Sequence, residues 1–580
     1  MNIPRMDSRA TTALSPYPAS LWALSVMSAA LLAGCGGSDE PRLPQLAAAA
    51  PGTLKACADL ASSINFPNTR ITTAVPVAAG ALKVAGKDIA PHCRVTGNMF
   101  DRVGPVDGKK YAIGFEMRLP TAWNGRFFYQ ANGGIDGSVG TATGAVNGGG
   151  GLDNALNQGF AVISSDAGHV GSLGPSFGID PQARLDYGYQ AVAKLTPMAK
   201  SLIQTAYGKG PDRSYFGGCS NGGRHAMVAA ARSADQYDGI LVGNPGFNLP
   251  KAAIANIAGA QAYNALANTP GDISTGFTQA ERQLVSQAVL DKCDALDGSV
   301  DGLVQDTGAC QAAFDLNRDV PTCTGERNGS CLSTAQKAGI AKLFSGATTS
   351  TGAKVYASFP YDAGLGTNGW ASWKFNESLN RDSGAVAYIW QVPPTTEPLA
   401  TFNGPNFSLT SDVSALVSMI NATNTTYTES AMSFMTPPHP SNLSTLRDRG
   451  AKMMVYHGTN DPIFSSDDTT AWYDALRAAN NGDASAFARF YRVPGMNHCS
   501  GGPATDQFDM LTPLVNWVEK GQAPDSVVAN VRGAGNAAAV NTDVPATWSA
   551  NRSRPLCAYP KVARYNGTGD VERAGSFSCK

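Results

Sequence analysis

From Tyr111 to Asp166 the chain alternates short apolar runs with glycine-rich breaks. Ala112 to Met117, Phe127 to Gln130 and Phe160 to Ser164 carry the β-branched and aromatic residues of buried strands. A helical spacing of apolar positions follows from Tyr187 to Thr205, then a short strand over Ser214 to Gly218. Gly223 to Ala231 has helix composition, and Gly239 to Gly243 is again an apolar strand. Strand, helix and strand in close succession predict a parallel, doubly wound sheet.

The pattern changes near Gly246. Between about Phe247 and Pro440 the chain is polar and rich in Asn and Thr, with four cysteines and scattered tryptophans, and strand periodicity resumes only at Lys452 to Gly458. This predicts a core built from residues 53–246 and 441–580 with a lid domain, 247–440, inserted between its strands. Strand Phe490 to Val493 belongs to the second half of the core.

At 580 residues, with 43% apolar and 15% charged positions, the chain can bury a large core. A net charge of −1 and the lack of a Lys/Arg-rich stripe argue against a nucleic-acid partner. Residues 1–35 carry Arg5 and Arg9, a short apolar run from about Leu21 to Leu32, and then Ala33-Gly34-Cys35. That is the order of a signal peptide, and a run this short does not span a bilayer. The L-A-G-C ending resembles a bacterial lipoprotein signal with Cys35 as the lipidated residue, so the only expected membrane contact is an N-terminal anchor. Residues 36–52, rich in Gly, Ala and Pro, read as a flexible tether.

Setting Cys35 aside leaves ten of the eleven cysteines, an even number suited to an oxidising compartment. Their positions suggest Cys57 with Cys93, Cys293 with Cys310, Cys323 with Cys331, and Cys557 with Cys579. Cys219 and Cys499 are left over, one preceding a serine and the other following a histidine. Spacing does not prove this connectivity.

Gly218-Cys219-Ser220-Asn221-Gly222 fits G-x-S-x-G between a predicted strand and a predicted helix, where a strained turn lifts a nucleophilic serine above a sheet. The Asn221 amide at the helix start is a candidate oxyanion donor. A second is the Gly134 amide, preferred over Gly133, in the glycine loop Asn132 to Gly137. Six histidines are available as base. The chain order nucleophile, acid, histidine excludes His92 and His169. His225 follows the serine on its own helix, His439 lies among prolines, and His457 precedes any suitable acid. His498 remains. Asp461, just past the strand ending at Gly458, is the preferred acid; Asp467 and Asp468 read instead as opening a helix.

Asp294, Asp297 and Asp301 stand close together among turn-forming glycines. Carboxylates packed this tightly call for a hard cation, so Ca2+ is expected, with the Ser299 and Leu303 carbonyls completing its shell. Trp370, Trp373, Trp390, Arg381 and His457 are candidate substrate contacts.

Gly-Cys-Ser-Asn-Gly-Gly, the Asp- and Gly-rich loop and the late Asn-His-Cys together resemble the tannase and feruloyl esterase family, from about Cys57 to Cys579. The resemblance implies an α/β-hydrolase fold with a large inserted lid, a Ser220, Asp461 and His498 triad, a Cys219–Cys499 bridge, and structural calcium at Asp294, Asp297, Ser299, Asp301 and Leu303. It implies as substrate a small ester of an aromatic acid of the galloyl, feruloyl or terephthaloyl type. Rival readings are a lipase-like or polyester-degrading hydrolase, and a lipid-anchored binding protein with a dead hydrolase core.

Overall fold

The computed structural model describes residues 43–146 and 154–580; Cys35 and its signal lie outside the described residues. Nine strands form one sheet: β1 (Thr69–Val77), β2 (His92–Val103), β3 (Lys110–Pro120), β4 (Arg126–Gln130), β5 (Ala161–Ser165), β6 (Arg213–Cys219), β7 (Gly239–Gly243), β8 (Lys452–Gly458) and β9 (Ala488–Val493). Their order across the sheet is β9-β8-β7-β6-β4-β5-β3-β2-β1. Neighbours from β9 to β5 are parallel, and β3, β2 and β1 continue antiparallel.

The parallel strands and the largely buried antiparallel β3 are the ones read from the sequence, because strands covered on both faces are near-continuous apolar runs. Every residue of β5, β7 and β8 is buried. β1 and β2 were not read. β1 is an edge strand whose residues are mostly exposed and largely Thr, Arg and Pro, and β2 alternates buried with half-buried or exposed positions, so neither carries such a run.

Helices α1 (Ala191–Tyr207) and α2 (Asn221–Arg232) follow strands β5 and β6. α1 is entered through a π-helical turn at Asp186–Gln190 and ends at left-handed Gly208. The sheet with its helices matches the α/β-hydrolase expectation. Between the parallel neighbours β7 and β8 the chain leaves the sheet. It forms helices α3 (Leu249–Leu266), α4 (Gln279–Cys293) and α5 (Thr334–Phe344) with several shorter ones. Although polar in composition, this segment holds its own apolar cluster around Tyr263, Phe277, Val285, Trp370 and Phe375. Helix α6 (Ser466–Ala478) follows β8, and α7 (Leu511–Lys520) follows β9.

The described part of the expected tether, residues 43–52, is not free. Gln45 donates to the Val518 carbonyl, the Ala49 amide to Glu519, and the Ala50 amide to Asp212, while Leu43 and Leu46 pack on the core. Its composition matched a linker; its hydrogen-bonding partners come from distant sequence. All five suggested disulfides are formed. Five bridges in one chain place it in an oxidising compartment outside the cytoplasm. Among the described residues no helix is long and apolar enough to cross a membrane.

Candidate active site

Ser220 stands between β6 and α2 with φ of 67° and ψ of −127°, a strained conformation held by its amide donating to the Gly243 carbonyl at 3.0 Å. The flanking glycines are sterically required. A Cβ on Gly218 would lie 2.6 Å from the Gly222 backbone, and one on Gly222 would lie 2.5 Å from the Ala131 carbonyl. Asn221 is the first residue of α2, so its amide is one of the four that a helix leaves without an internal acceptor. The 132–137 loop runs alongside. Here Gly133 faces the serine, its Cβ position 3.7 Å from Ser220 Cβ, whereas the Cβ position of Gly134 faces open space.

His498 Nε2 is 2.8 Å from Ser220 Oγ, and His498 Nδ1 is 2.7 Å from Asp461 Oδ2. With Nδ1–H donating to the carboxylate, Nε2 is free to accept the serine proton. Asp461 is fixed on all sides: Oδ1 accepts the Ile463 and Phe464 amides at 2.9 and 3.0 Å, and Oδ2 accepts Asn244 Nδ2 at 2.7 Å. Burial alone would raise this carboxyl; the charge of His498 and hydrogen bonds from His457 and His498 reverse that and hold it below the usual carboxylate range.

His457, expected among the substrate contacts, is fully buried behind Asp461. Its Nε2 lies 3.0 Å from the Phe464 carbonyl and 3.3 Å from Asp461 Oδ2. Both are acceptors, so Nε2 carries the proton and Nδ1 accepts from Thr469 Oγ1 at 2.8 Å. It orients the acid. Asp467 and Asp468 occupy the first turn of α6, after the cap Ser465.

The tryptophans separate. Trp373 sets its ring edge-on to His498 with centroids 5.0 Å apart, and Arg381 lies over the same indole, 4.8 Å from its centroid, while pairing with Glu377. Phe464, which the sequence reading missed, also sets its ring edge-on to His498, at 5.2 Å. Trp370 packs in the inserted segment against Phe277 and Phe375. Trp390 is 1% exposed and packs inside the main core. In so polar a stretch three tryptophans look alike until packing assigns them.

A buried network also went unread. Asp136, in the glycine loop, accepts from Asn221 Nδ2 at 2.8 Å, and His225 Nε2 lies 2.9 Å from the same oxygen. Arg224 donates to Asn221 Oδ1 at 2.6 Å and to the Gly188 and Tyr187 carbonyls. Burial pushes the Asp136 carboxyl up to about 8, and burial with the Arg224 charge holds the His225 imidazole well below its ordinary value. The network ties the start of α2 to the 132–137 loop, the two segments that carry the candidate oxyanion donors. An aspartate in that loop and a histidine beside the serine were its only sequence signals.

In the acidic loop, Asp294 accepts the Asp301 and Gly302 amides, and Asp301 pairs with Arg554 at 2.6 Å. Asp297 Oδ2 is buried with no hydrogen-bond partner, and burial pushes that carboxyl up to about 7. An orphaned carboxylate oxygen fits a cation. Among the described residues no three His, Cys, Asp or Glu side chains converge as a metal cluster, so a cation here would rely on main-chain carbonyls as well.

The family model described as tannase and feruloyl esterase matches residues 93–580. Mono(2-hydroxyethyl) terephthalate hydrolase of Piscinibacter sakaiensis is 40% identical over 553 residues, covering 87% of this chain and 89% of that protein. Feruloyl esterase B of Aspergillus niger is 27% identical, covering 93% of this chain and 98% of its own. The crystal structure of feruloyl esterase B from Aspergillus oryzae superposes with a TM-score of 0.70 at 24% identity, over 90% of this chain and 100% of that one. Sequence over most of its length and fold over nearly all of it thus agree with the serine turn and its bridged histidine: the chain belongs to the tannase and feruloyl esterase family and is a carboxylic ester hydrolase.

Proposed function

We propose that this protein is an exported serine esterase that cleaves esters of aromatic acids. The observation that carries the reading is the unbroken line from Ser220 Oγ through His498 to Asp461, with contacts of 2.8 and 2.7 Å. The substrate class is supported by the names of the relatives and by the Trp373 and Phe464 rings beside His498.

Ser220 Oγ attacks the ester carbonyl carbon while its proton passes to His498 Nε2. The oxyanion that forms is held by the Asn221 amide and by the glycine loop at Gly133 and Gly134. Collapse breaks the bond to the alcohol oxygen, which leaves with the proton from His498. A water then gives its proton to His498 and attacks the acyl carbon; the bond to Ser220 Oγ breaks, His498 returns the proton to that oxygen, and the acid leaves. Asp461 stays ionised throughout, stabilising the imidazolium.

Ca2+ at Asp294, Asp297 and Asp301, with the Ser299 and Leu303 carbonyls, would serve structure: Asp301 already ties this loop to Arg554. Cys35 as a lipid anchor completes the proposal; intact-mass analysis of detergent-extracted protein reads its acyl chains directly.

Ser220→Ala is expected to abolish turnover of methyl ferulate, methyl gallate and a terephthalate monoester, and to abolish fluorophosphonate labelling, with thermal stability retained. Retained turnover overturns the nucleophile. Preference for p-nitrophenyl butyrate would favour the lipase-like rival, and an unlabelled wild type the dead binding protein.

A further inference from the structure

The π-helical turn Ser372–Glu377 presents neighbouring side chains to different surroundings. Trp373 meets His498, while Lys374 lines a separate cavity of about 540 Å3 between α3 and α5. That volume is in the range of small-molecule sites. Tyr263, Phe344, Phe359 and Trp370 contribute aromatic surface to its wall, exposed Lys342 and Ser350 are among its lining, and Thr459, Asn460 and Asp461 line it as well. Ser220 and His498 are not part of that wall.

Lys374 is the feature that packing alone does not explain. Its ammonium sits 3.8 Å from the Phe359 ring centroid and 6.0 Å from that of Trp370. The carboxylates whose fields reach it are Asp461, committed to two imidazoles, and Asp382, whose own carboxyl burial pushes up to about 7. Among the described residues neither forms an ion pair with it. Burial therefore pulls the ammonium down to about 7. Lys374 is half-buried, and a partly desolvated cation without a counter-ion is costly; a cavity beside it lets a ligand lower that cost.

We propose that this cavity is a second, non-catalytic binding site for a small aromatic carboxylate, its ring between the aromatic walls and its carboxylate on Lys374. A single ammonium balances the single charge of a carboxylate, whereas a phosphate dianion would bring uncompensated charge into the aromatic pocket. The bound acid would lie against the segment that carries Asp461. The proposal does not depend on the assigned mechanism.

The test titrates benzoate and terephthalate into enzyme whose catalytic serine has been capped with a fluorophosphonate, read by calorimetry and tryptophan fluorescence. Saturable one-to-one binding is expected, weakened at least about tenfold in Lys374→Met and preserved in Lys374→Arg. In uncapped wild-type enzyme at neutral pH, the same ligands should protect Lys374 from acetylation by acetic anhydride, read by peptide mass spectrometry. That arm requires neither a variant nor the cap. No binding to capped enzyme, affinity unchanged by Lys374→Met, or unprotected acetylation overturns the proposal.

Discussion

Cys219 and Cys499 are bonded to each other, and the residues beside them, Ser220 and His498, are hydrogen-bonded at 2.8 Å. The bridge joins the last residue of β6 to the loop after β9 across a separation of 280 residues. A covalent link one residue from each reacting group limits how far they drift apart.

Cutting that link should therefore harm catalysis as well as folding. For the Cys219→Ala, Cys499→Ala double variant we expect a stability loss of about 2–4 kcal/mol and kcat lower by about 10- to 100-fold, since small misplacements of reacting groups are costly. Urea unfolding and steady-state kinetics measure the two separately. Unchanged kcat would make the bridge purely structural.

Trp373 packs against the base, and its indole carries Arg381 on one face. An aromatic contact is worth about 0.5–1.5 kcal/mol, so Trp373→Ala should cost about 3- to 10-fold in kcat/KM on methyl ferulate and less on an acetate ester, with Trp373→Phe recovering most of it. Equal losses on both esters would show that Trp373 serves only to position His498.

Asp136 gives the stability a pH dependence of known sign. Its folded value, about 8, lies above the unfolded value of about 4. Between those limits the native state holds a proton that the unfolded chain has released, so this contribution is complete below about pH 4 and is lost as pH rises toward 8. In Asp136→Asn the amide oxygen accepts from Asn221 and His225 as before, without the titration. The variant should gain stability relative to wild type between pH 5 and pH 8 by urea unfolding; a constant difference contradicts the assignment. Asp136→Ala, which unpairs both donors, should lower kcat about tenfold with little change in KM.

The acidic loop predicts stabilisation by calcium. A cation bound only by the folded state adds about 2.7 kcal/mol when present at 100 times its Kd. Melting after chelation and again after Ca2+ addition should show a rise that Asp297→Asn removes. Identical melting curves would exclude the site.

How much of this was legible depends on the range of the forces involved. The serine turn was readable because its signals are local: a glycine two residues to either side of the serine, an apolar strand before and a helix after. The parallel strands were readable because burial on both faces leaves continuous apolar runs. His498 and Asp461 followed from chain order. Residues 43–52, with the composition of a linker, gave no sign of the Val518, Glu519 and Asp212 partners that dock them.

What the sequence alone determined is the chemistry available and its order along the chain: a strained serine, then an acid, then a histidine, with a cysteine beside the first and the last. Only the tertiary structure decided which like residues do different work. It put Trp373 at the base and Trp390 in the core, turned His457 toward the acid rather than the cleft, brought Gly133 against the serine, and joined Asp136 to His225. Those choices depend on distances between segments far apart in the chain, set by how the sheet, the insertion and five disulfides pack together. Residue type and spacing carry no record of such distances.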